Sequence, residues 1–283
     1  MLEVENISPS SITEQDQSCP DKRDTPSLYN WKDFEIGKVI HRSTQSVVFS
    51  ARDPLSGAEV AIKSIGKYKT ISDRNCKSVE RELKYLGELR HPNIVTYMAW
   101  FHDSASIYHV MERGEMTLSD LLEERYPNGI PEPDVKTCLI QVASALEYIH
   151  GIGIIHRDIK PSNLLLFKPF IIKICDFGAS VQTNPNDLRK SIRGTSPYMA
   201  PEMVKGLGHS FPVDIWAFGI TAHELLTNTL PFDGSSPMEI YRSIVKTVYN
   251  PPSGISPSLS QMMTKCTEKD PLKRPEISAL LQN

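Results

Sequence analysis

No apolar run in the 283 residues approaches the roughly 18 that a membrane-spanning helix needs, so no span is expected. There is no excess of one charge either. Thirty-one Lys and Arg against 34 Asp and Glu leave a formal net charge of −3, which offers nucleic acid or an anionic membrane no electrostatic hold. The five cysteines (Cys19, Cys76, Cys138, Cys175, Cys266) are odd in number and include no C-x-x-C pair, so reduced thiols are expected rather than a disulfide frame or zinc site. Met1-Leu2-Glu3-Val4-Glu5 has neither the basic start nor the apolar core of a secretory leader, and a cytoplasmic or nuclear location is expected. No internal repeat has the period of a solenoid.

The chain is long enough to bury a sizeable core, in one large domain or two modest ones. Residues 1–30 are rich in Ser, Pro, Asp and Gln and read as a disordered lead without a site. From Trp31 the texture changes. Phe34–Ile36, Val47–Phe49 and Val60–Lys63 read as short strands broken by Asp53-Pro54 and Ser56-Gly57. Val79, Leu83, Leu86 and Leu89 step at helical spacing until His91-Pro92-Asn93 stops them, and two more strands are expected near Ile94–Trp100 and Ile107–Met111. Beyond Glu112 helices dominate. Val135, Leu139, Val142, Leu146 and Ile149 form an apolar stripe behind Pro133-Asp134, another helix is expected over Val213–Thr227, and more lie between Met238 and Leu281. The fold class is α+β: a small β-rich lobe with one main helix (about 31–112) joined near Met111–Gly114 to a larger α-rich lobe (about 113–283). Ligands favour the cleft between such lobes.

Four motifs carry chemistry: Val60-Ala61-Ile62-Lys63 on the third strand, His156-Arg157-Asp158-Ile159-Lys160-Pro161-Ser162-Asn163, Cys175-Asp176-Phe177-Gly178, and Ala200-Pro201-Glu202. Each alone is weak, since Asp and Gly are ordinary turn residues and a strand lysine commonly lies along the surface. Together, in this order and spacing, they resemble the signature set of the eukaryotic protein kinases from Phe34 to about Leu281.

The resemblance implies transfer of the γ-phosphoryl group of ATP to Ser or Thr of a protein substrate, with ATP and Mg²⁺ between the lobes. Asp158 would take the acceptor proton, Lys160 would meet the γ-phosphate, and Asn163 and Asp176 would bind Mg²⁺. Lys63 would contact the α- and β-phosphates, held by a helix glutamate; of Glu80 and Glu82, Glu82 stands at the family's distance before His91-Pro92-Asn93. Ile40, Val48 and Ala61 belong to the expected ATP site, Met111 resembles the gatekeeper, and the main chain of Glu112 and Arg113 would bind adenine. Thr195, after Gly194, would dock substrate. Ser191, among Arg189, Lys190 and Arg193, matches the activation phosphosite, with Ser196 and Thr183 as weaker candidates and an upstream activating kinase implied. Arg157 is expected to meet a phosphorylated or acidic side chain on that segment. Asp187 falls where a second phosphosite often lies. The texture around Asp158 and Asp176 looks most like the MAP kinase kinases and their upstream relatives, and Arg274 is expected to pair with Glu202.

One part of the pattern is missing. The glycine-rich loop G-x-G-x-x-G-x-V aligns with His41-Arg42-Ser43-Thr44-Gln45-Ser46-Val47-Val48, so His41, Ser43 and Ser46 fill all three glycine positions. A non-glycine residue forced to positive φ costs about 1–3 kcal/mol, enough to weaken nucleotide binding tenfold. Hence a pseudokinase scaffold is the alternative expectation. A small-molecule kinase of the same fold is disfavoured by Gly194-Thr195 and Ala200-Pro201-Glu202.

Overall fold

The computed structural model describes residues 29–43, 46–67, 87–183, 188–189 and 194–281. Strands β1 (Glu35–Arg42), β2 (Ser46–Arg52), β3 (Glu59–Gly66), β4 (Tyr97–His102) and β5 (Ser106–Glu112) form one antiparallel sheet in the order β1-β2-β3-β5-β4. Side chains alternate along β3, as a pleated strand requires. Val60 and Ile62 enter an outer cluster with Phe34, Phe101, Tyr108 and Val110, whereas Ala61 and Lys63 face the interlobe cavity.

That outer cluster shifts the expected start of the folded part. Tyr29 stacks on Phe34 with ring centroids 5.2 Å apart, and Trp31 lies 4.9 Å from Tyr108. Packing therefore begins inside the segment read as a disordered lead, because the sheet's outer face is aromatic and needs a cover. The rest of the lead lies outside the described residues. So do Val79, Leu83 and Leu86 of the expected helix.

The expected strand at Ile94–Trp100 begins three residues late, and its first part does other work. The Val95 amide donates to the Ile174 carbonyl at 3.0 Å, and the Ile174 amide donates to the Asn93 carbonyl at 2.9 Å. Asn93 Nδ2 also donates to the Ile172 carbonyl at 2.9 Å. This stretch stitches one lobe to the other before β4 joins its sheet.

The larger lobe carries small strand pairs beneath the cleft: β6 (Met116–Thr117), β8 (Leu164–Phe167) and β9 (Ile171–Ile174) in one sheet, and β7 (Ile154–Ile155) paired with β10 (Val181–Gln182). Its helices among the described residues are α1 (Leu118–Arg125), α2 (Glu132–Gly151), α3 (Pro201–Val204), α4 (Pro212–Thr227), α5 (Pro237–Lys246), α6 (Pro257–Cys266) and α7 (Ile277–Leu280). The stripe Val135, Leu139, Val142, Leu146 and Ile149 is buried on α2 as its spacing predicts. Helix α4 is apolar on nearly every face and lies inside the lobe, so its one buried carboxylate, Asp214, must be paired. Glu202 on α3 receives two hydrogen bonds from Arg274, at 2.7 and 2.8 Å, and both side chains are buried.

Candidate active site

A cavity of about 590 Å³ lies between the lobes. Val48, Ala61 and Met111 line its apolar part, with Lys63, Asn163 and Asp176 at its polar end. Ile40, Glu112, Arg113, Lys160 and Cys175 line it too. The mixture of apolar walls and a few convergent polar groups is that of a small-molecule site. The Glu112 carboxylate turns away and accepts from Lys173 Nζ at 2.7 and 2.8 Å. The Glu112 amide donates to the Thr96 carbonyl at 3.1 Å, which removes it from the expected adenine contacts and leaves the carbonyl. Arg113 Nη1 sits 2.9 Å from Glu59 Oε2 at the cavity mouth.

The loop after β7 is built around Asp214. Its Oδ2 accepts from the His156 amide at 2.8 Å and its Oδ1 from the Arg157 amide at 2.7 Å. His150 Nε2 lies 2.9 Å from Oδ2. Burial raises the Asp214 carboxyl, but these hydrogen bonds and the neighbouring histidines outweigh it and hold the group below its usual range. The same contacts hold Arg157 at φ 69°, a conformation that L side chains avoid. The Arg157 guanidinium donates to the Ala179 carbonyl at 2.7 Å, a main-chain contact early in the activation segment. His156 is locked in one tautomer. Its Nδ1 accepts from the Asp158 amide at 3.3 Å, so Nε2 carries the proton and donates to the Cys175 carbonyl at 3.2 Å. Phe177, fully buried, meets the His156 ring edge-on at 4.8 Å.

Asp158 gathers four donors. Its Oδ1 accepts from the Thr195 amide at 3.0 Å and the Thr195 hydroxyl at 2.7 Å, while Oδ2 accepts from Asn163 Nδ2 and Lys160 Nζ, both at 2.8 Å. Lys160 Nζ also donates to the Thr195 hydroxyl. Gly194 makes this approach feasible: it sits at φ +116°, and a Cβ there would stand 2.5 Å from the Arg157 carbonyl. Across the cavity Lys63 Nζ lies 3.1 Å from Asp176 Oδ1. The Lys63 charge outweighs burial and holds the Asp176 carboxyl down at about 2. Asp176 is itself at φ 60° and accepts from the Gly178 amide at 3.3 Å.

Lys63, Asp158, Lys160, Asn163, Asp176 and Thr195 thus converge as expected. Glu82, Ser191 and Asp187 lie outside the described residues. Thr183 is buried, and its amide donates to the Gly153 carbonyl at 2.7 Å. Sequence reasoning missed His109. It is fully buried on β5 opposite Lys63 in the sheet register, and burial first, then the Lys63 charge, depresses its pKa to about 3. A neutral ring there adds no second cation beside Lys63. Only the strand register could have found it.

The hairpin between β1 and β2 also departs from expectation. Among the described residues only Arg157, Asp176 and Asn228 are non-glycine at positive φ, so His41, Arg42, Ser43 and Ser46 bear none of the anticipated strain. The turn closes through one main-chain bond and one bond to a serine side chain. The Ser43 amide donates to the Ser46 carbonyl at 2.9 Å, and the Ser46 amide donates to Ser43 Oγ at 3.0 Å.

A family model described as the protein kinase domain matches residues 34–283. Among curated relatives, an Aurora kinase of Candida glabrata is 32% identical over 273 residues, spanning 96% of this chain and 75% of the relative. An Aurora/IPL1-related protein kinase 2 of Caenorhabditis elegans is 34% identical over 245 residues, spanning 86% and 79%. The serine/threonine-protein kinase Aurora-1 of Arabidopsis thaliana is 33% identical over 282 residues, spanning 97% and 94%. These relatives are Aurora kinases, so the finer expectation of a MAP kinase kinase branch is set aside in favour of the broader kinase assignment. With the model match running from the first strand to the last helix, through every group that meets in the cavity, the chain belongs to the protein kinase domain family.

Proposed function

We propose that this protein kinase transfers the γ-phosphoryl group of ATP to serine or threonine hydroxyls of protein substrates, with Asp158 receiving the acceptor proton. The family uses ATP and a divalent metal. The observation that carries the residue assignment is the set of four donors on Asp158, from Thr195, Lys160 and Asn163, two of which, Lys160 and Asn163, line the same cavity as Lys63 and Asp176. The acceptor O–H takes the place at Asp158 Oδ1 that the Thr195 hydroxyl now fills. Its oxygen bonds to the γ-phosphorus as the bond to the leaving ADP oxygen breaks, and its proton passes to Asp158. Lys160, beside Asp158 Oδ2 and the hydroxyl position that Thr195 fills, balances the charge there.

The donor set fits Mg²⁺. Asn163 commits its Nδ2 to Asp158, which frees its amide oxygen, and Asp176 offers a carboxylate held ionised. Two protein oxygens suit a cation that keeps water and phosphate in most of its positions. Among the described residues no cluster of three His, Cys, Asp or Glu offers a cage for another metal. When bound, Mg²⁺ supplies charge neutralisation for the triphosphate.

The scaffold alternative rested on strain in the hairpin, and the described hairpin residues carry none. An upstream kinase acting at Ser191 is part of this reading, with Arg189 two residues before it in the sequence. A cytoplasmic or nuclear location is part of the same reading. The test is transfer of labelled phosphate from Mg-ATP to a generic basic protein. Asp158→Asn is expected to lower transfer about 10²–10⁴-fold. Equal label with both proteins refutes the role of Asp158, and no label with either returns the scaffold.

A further inference from the structure

We propose that Ser43 and Ser46 form a phosphate clip at the tip of the β1–β2 hairpin: the Ser43 side chain closes the turn, and the Ser46 hydroxyl donates to a phosphate of the bound nucleotide. The inference rests on the reading of the cleft as the ATP site, and it assigns to side chains the work that glycine amides do in the usual loop.

Both serines line the cavity that holds Lys63 and Asp176. Both of their amides point into the turn. The Ser43 amide is spent on the Ser46 carbonyl at 2.9 Å, and the Ser46 amide on Ser43 Oγ at 3.0 Å. Neither amide is left for a ligand, so a donor at these two positions must be a hydroxyl. The hydroxyls lie 3.1 Å apart, and Ser43 Oγ is 3.4 Å from the Ser46 carbonyl. Two proton arrangements satisfy this cluster. In one, Ser46 donates to Ser43 Oγ and Ser43 donates to the Ser46 carbonyl, which leaves no proton facing outward. In the other, Ser43 donates to Ser46 Oγ, and the Ser46 proton turns outward. An anion in the cavity selects the second, because hydroxyl rotors move freely and a hydrogen bond to a charged oxygen is about twice as strong as a neutral one.

The closure also explains why serine is tolerated. With no positive φ among the described hairpin residues, glycine has no conformational advantage at positions 43 and 46. Replacing both by glycine would delete Ser43 Oγ, which takes the Ser46 amide, leave the main-chain bond as the remaining closure, and loosen the chain.

The test is equilibrium binding of a non-hydrolysable ATP analogue with Mg²⁺, compared with binding of adenosine, which has no phosphate. Ser46→Ala is expected to weaken the analogue about tenfold, the effect of one hydrogen bond to a charged group, and to leave adenosine within about twofold. Ser46→Thr keeps the hydroxyl and is expected to bind like the parent. Ser43→Ala opens the turn and is expected to weaken the analogue by a similar factor. The double variant Ser43→Gly with Ser46→Gly is expected to bind the analogue more weakly, although it restores the family's glycines. Lys63→Met is the reference. Analogue binding lost in Lys63→Met but unchanged in Ser46→Ala overturns the clip and leaves the ATP site standing. Binding unchanged in Lys63→Met as well overturns the ATP-site reading and the clip with it. A glycine double variant that binds as tightly as the parent also overturns the clip.

Discussion

The loops below and above the nucleotide cavity handle their backbones in opposite ways. Below the cleft, Arg157 and Asp176 hold positive φ without being glycine, each at a cost of roughly 1–3 kcal/mol. Above it, Ser43 and Ser46 fill positions where glycine is usual and avoid positive φ altogether. The difference follows burial. Arg157 is buried and tied through its amide to Asp214 and through its guanidinium to the Ala179 carbonyl, so its conformation is over-determined. Ser43 is exposed at a hairpin tip, where no frame could hold a strained residue. The lower loop can therefore store strain, and the upper loop must fold without it. A missing glycine weakens a loop only where positive φ is required.

The largest effect expected from this contrast comes from Asp214. Asp214→Ala leaves the amides of His156 and Arg157 buried without an acceptor and removes the partner of His150. Each orphaned donor costs about 1–3 kcal/mol, so a loss on the order of 3–5 kcal/mol is expected in urea unfolding. Phosphoryl transfer should fall at least about hundredfold, since Asp158 follows the strained residue. The matching change above the cleft, Ser43→Ala, should cost under about 1 kcal/mol. Similar losses for the two variants would break the contrast between a framed loop and a free one. Gly194→Ala comes next. It forces a side chain to φ +116° and against the Arg157 carbonyl at 2.5 Å. A penalty of about 1–3 kcal/mol is expected at that junction, seen as a lower kcat and weaker peptide substrate binding with ATP binding retained. An unchanged kcat would show that Thr195 finds Asp158 without this approach.

How much of this was readable beforehand differs between the loops. His156–Asn163 and Cys175–Gly178 are contiguous, and their order and spacing carry the site without coordinates. The stripe from Val135 to Ile149 placed α2 because a buried helix face repeats every three to four residues. The hairpin misled, because its motif gives residue identities while strain depends on the sign of φ, which closure by Ser43 changed. His109 was invisible for another reason. Its role depends on facing Lys63 across two strands distant in sequence, and register is a property of the assembled sheet. The first residues of the expected strand at Ile94 misled in the same way, since Ile174, 80 residues on, captures its backbone.

His109 gives the third prediction, in acid. Its folded pKa of about 3 lies below the usual 6.5. The unfolded chain therefore binds a proton below pH 6.5 that the folded chain refuses. Stability is whole above that pH and falls as pH drops toward 3, by up to about 1.4 kcal/mol per unit. His91, His156, His209 and His223 are depressed by burial and add to the same slope. Asp176, held near 2 by Lys63, adds its share only below its usual 3.8. Replacing His109 with Gln should flatten the acid limb of a urea-midpoint profile by about one proton's worth. A profile parallel to the parent's would mean that His109 takes up its proton in the folded state.

The smallest effect is a labelling rate, and it reads the two loops against each other. Cys175 lines the cavity directly before Asp176, so its place is set by the lower loop, while the serine hairpin lines the same cavity from above. Cys138 and Cys266 are buried, and burial pushes both thiols up to about 12, far from the reactive thiolate. Of these three, Cys175 is expected to take up a thiol reagent first, as followed by mass spectrometry of the peptides. A bound ATP analogue should slow that labelling by occupying the shared cavity. If hairpin closure tightens the hold on the nucleotide, protection at a fixed, sub-saturating analogue concentration should be several-fold poorer in Ser43→Ala than in the parent. Without nucleotide the two proteins should label Cys175 alike, because the lower loop is unchanged. Faster labelling of Ser43→Ala in the absence of nucleotide would show instead that the hairpin and the loop of Cys175 and Asp176 are mechanically joined.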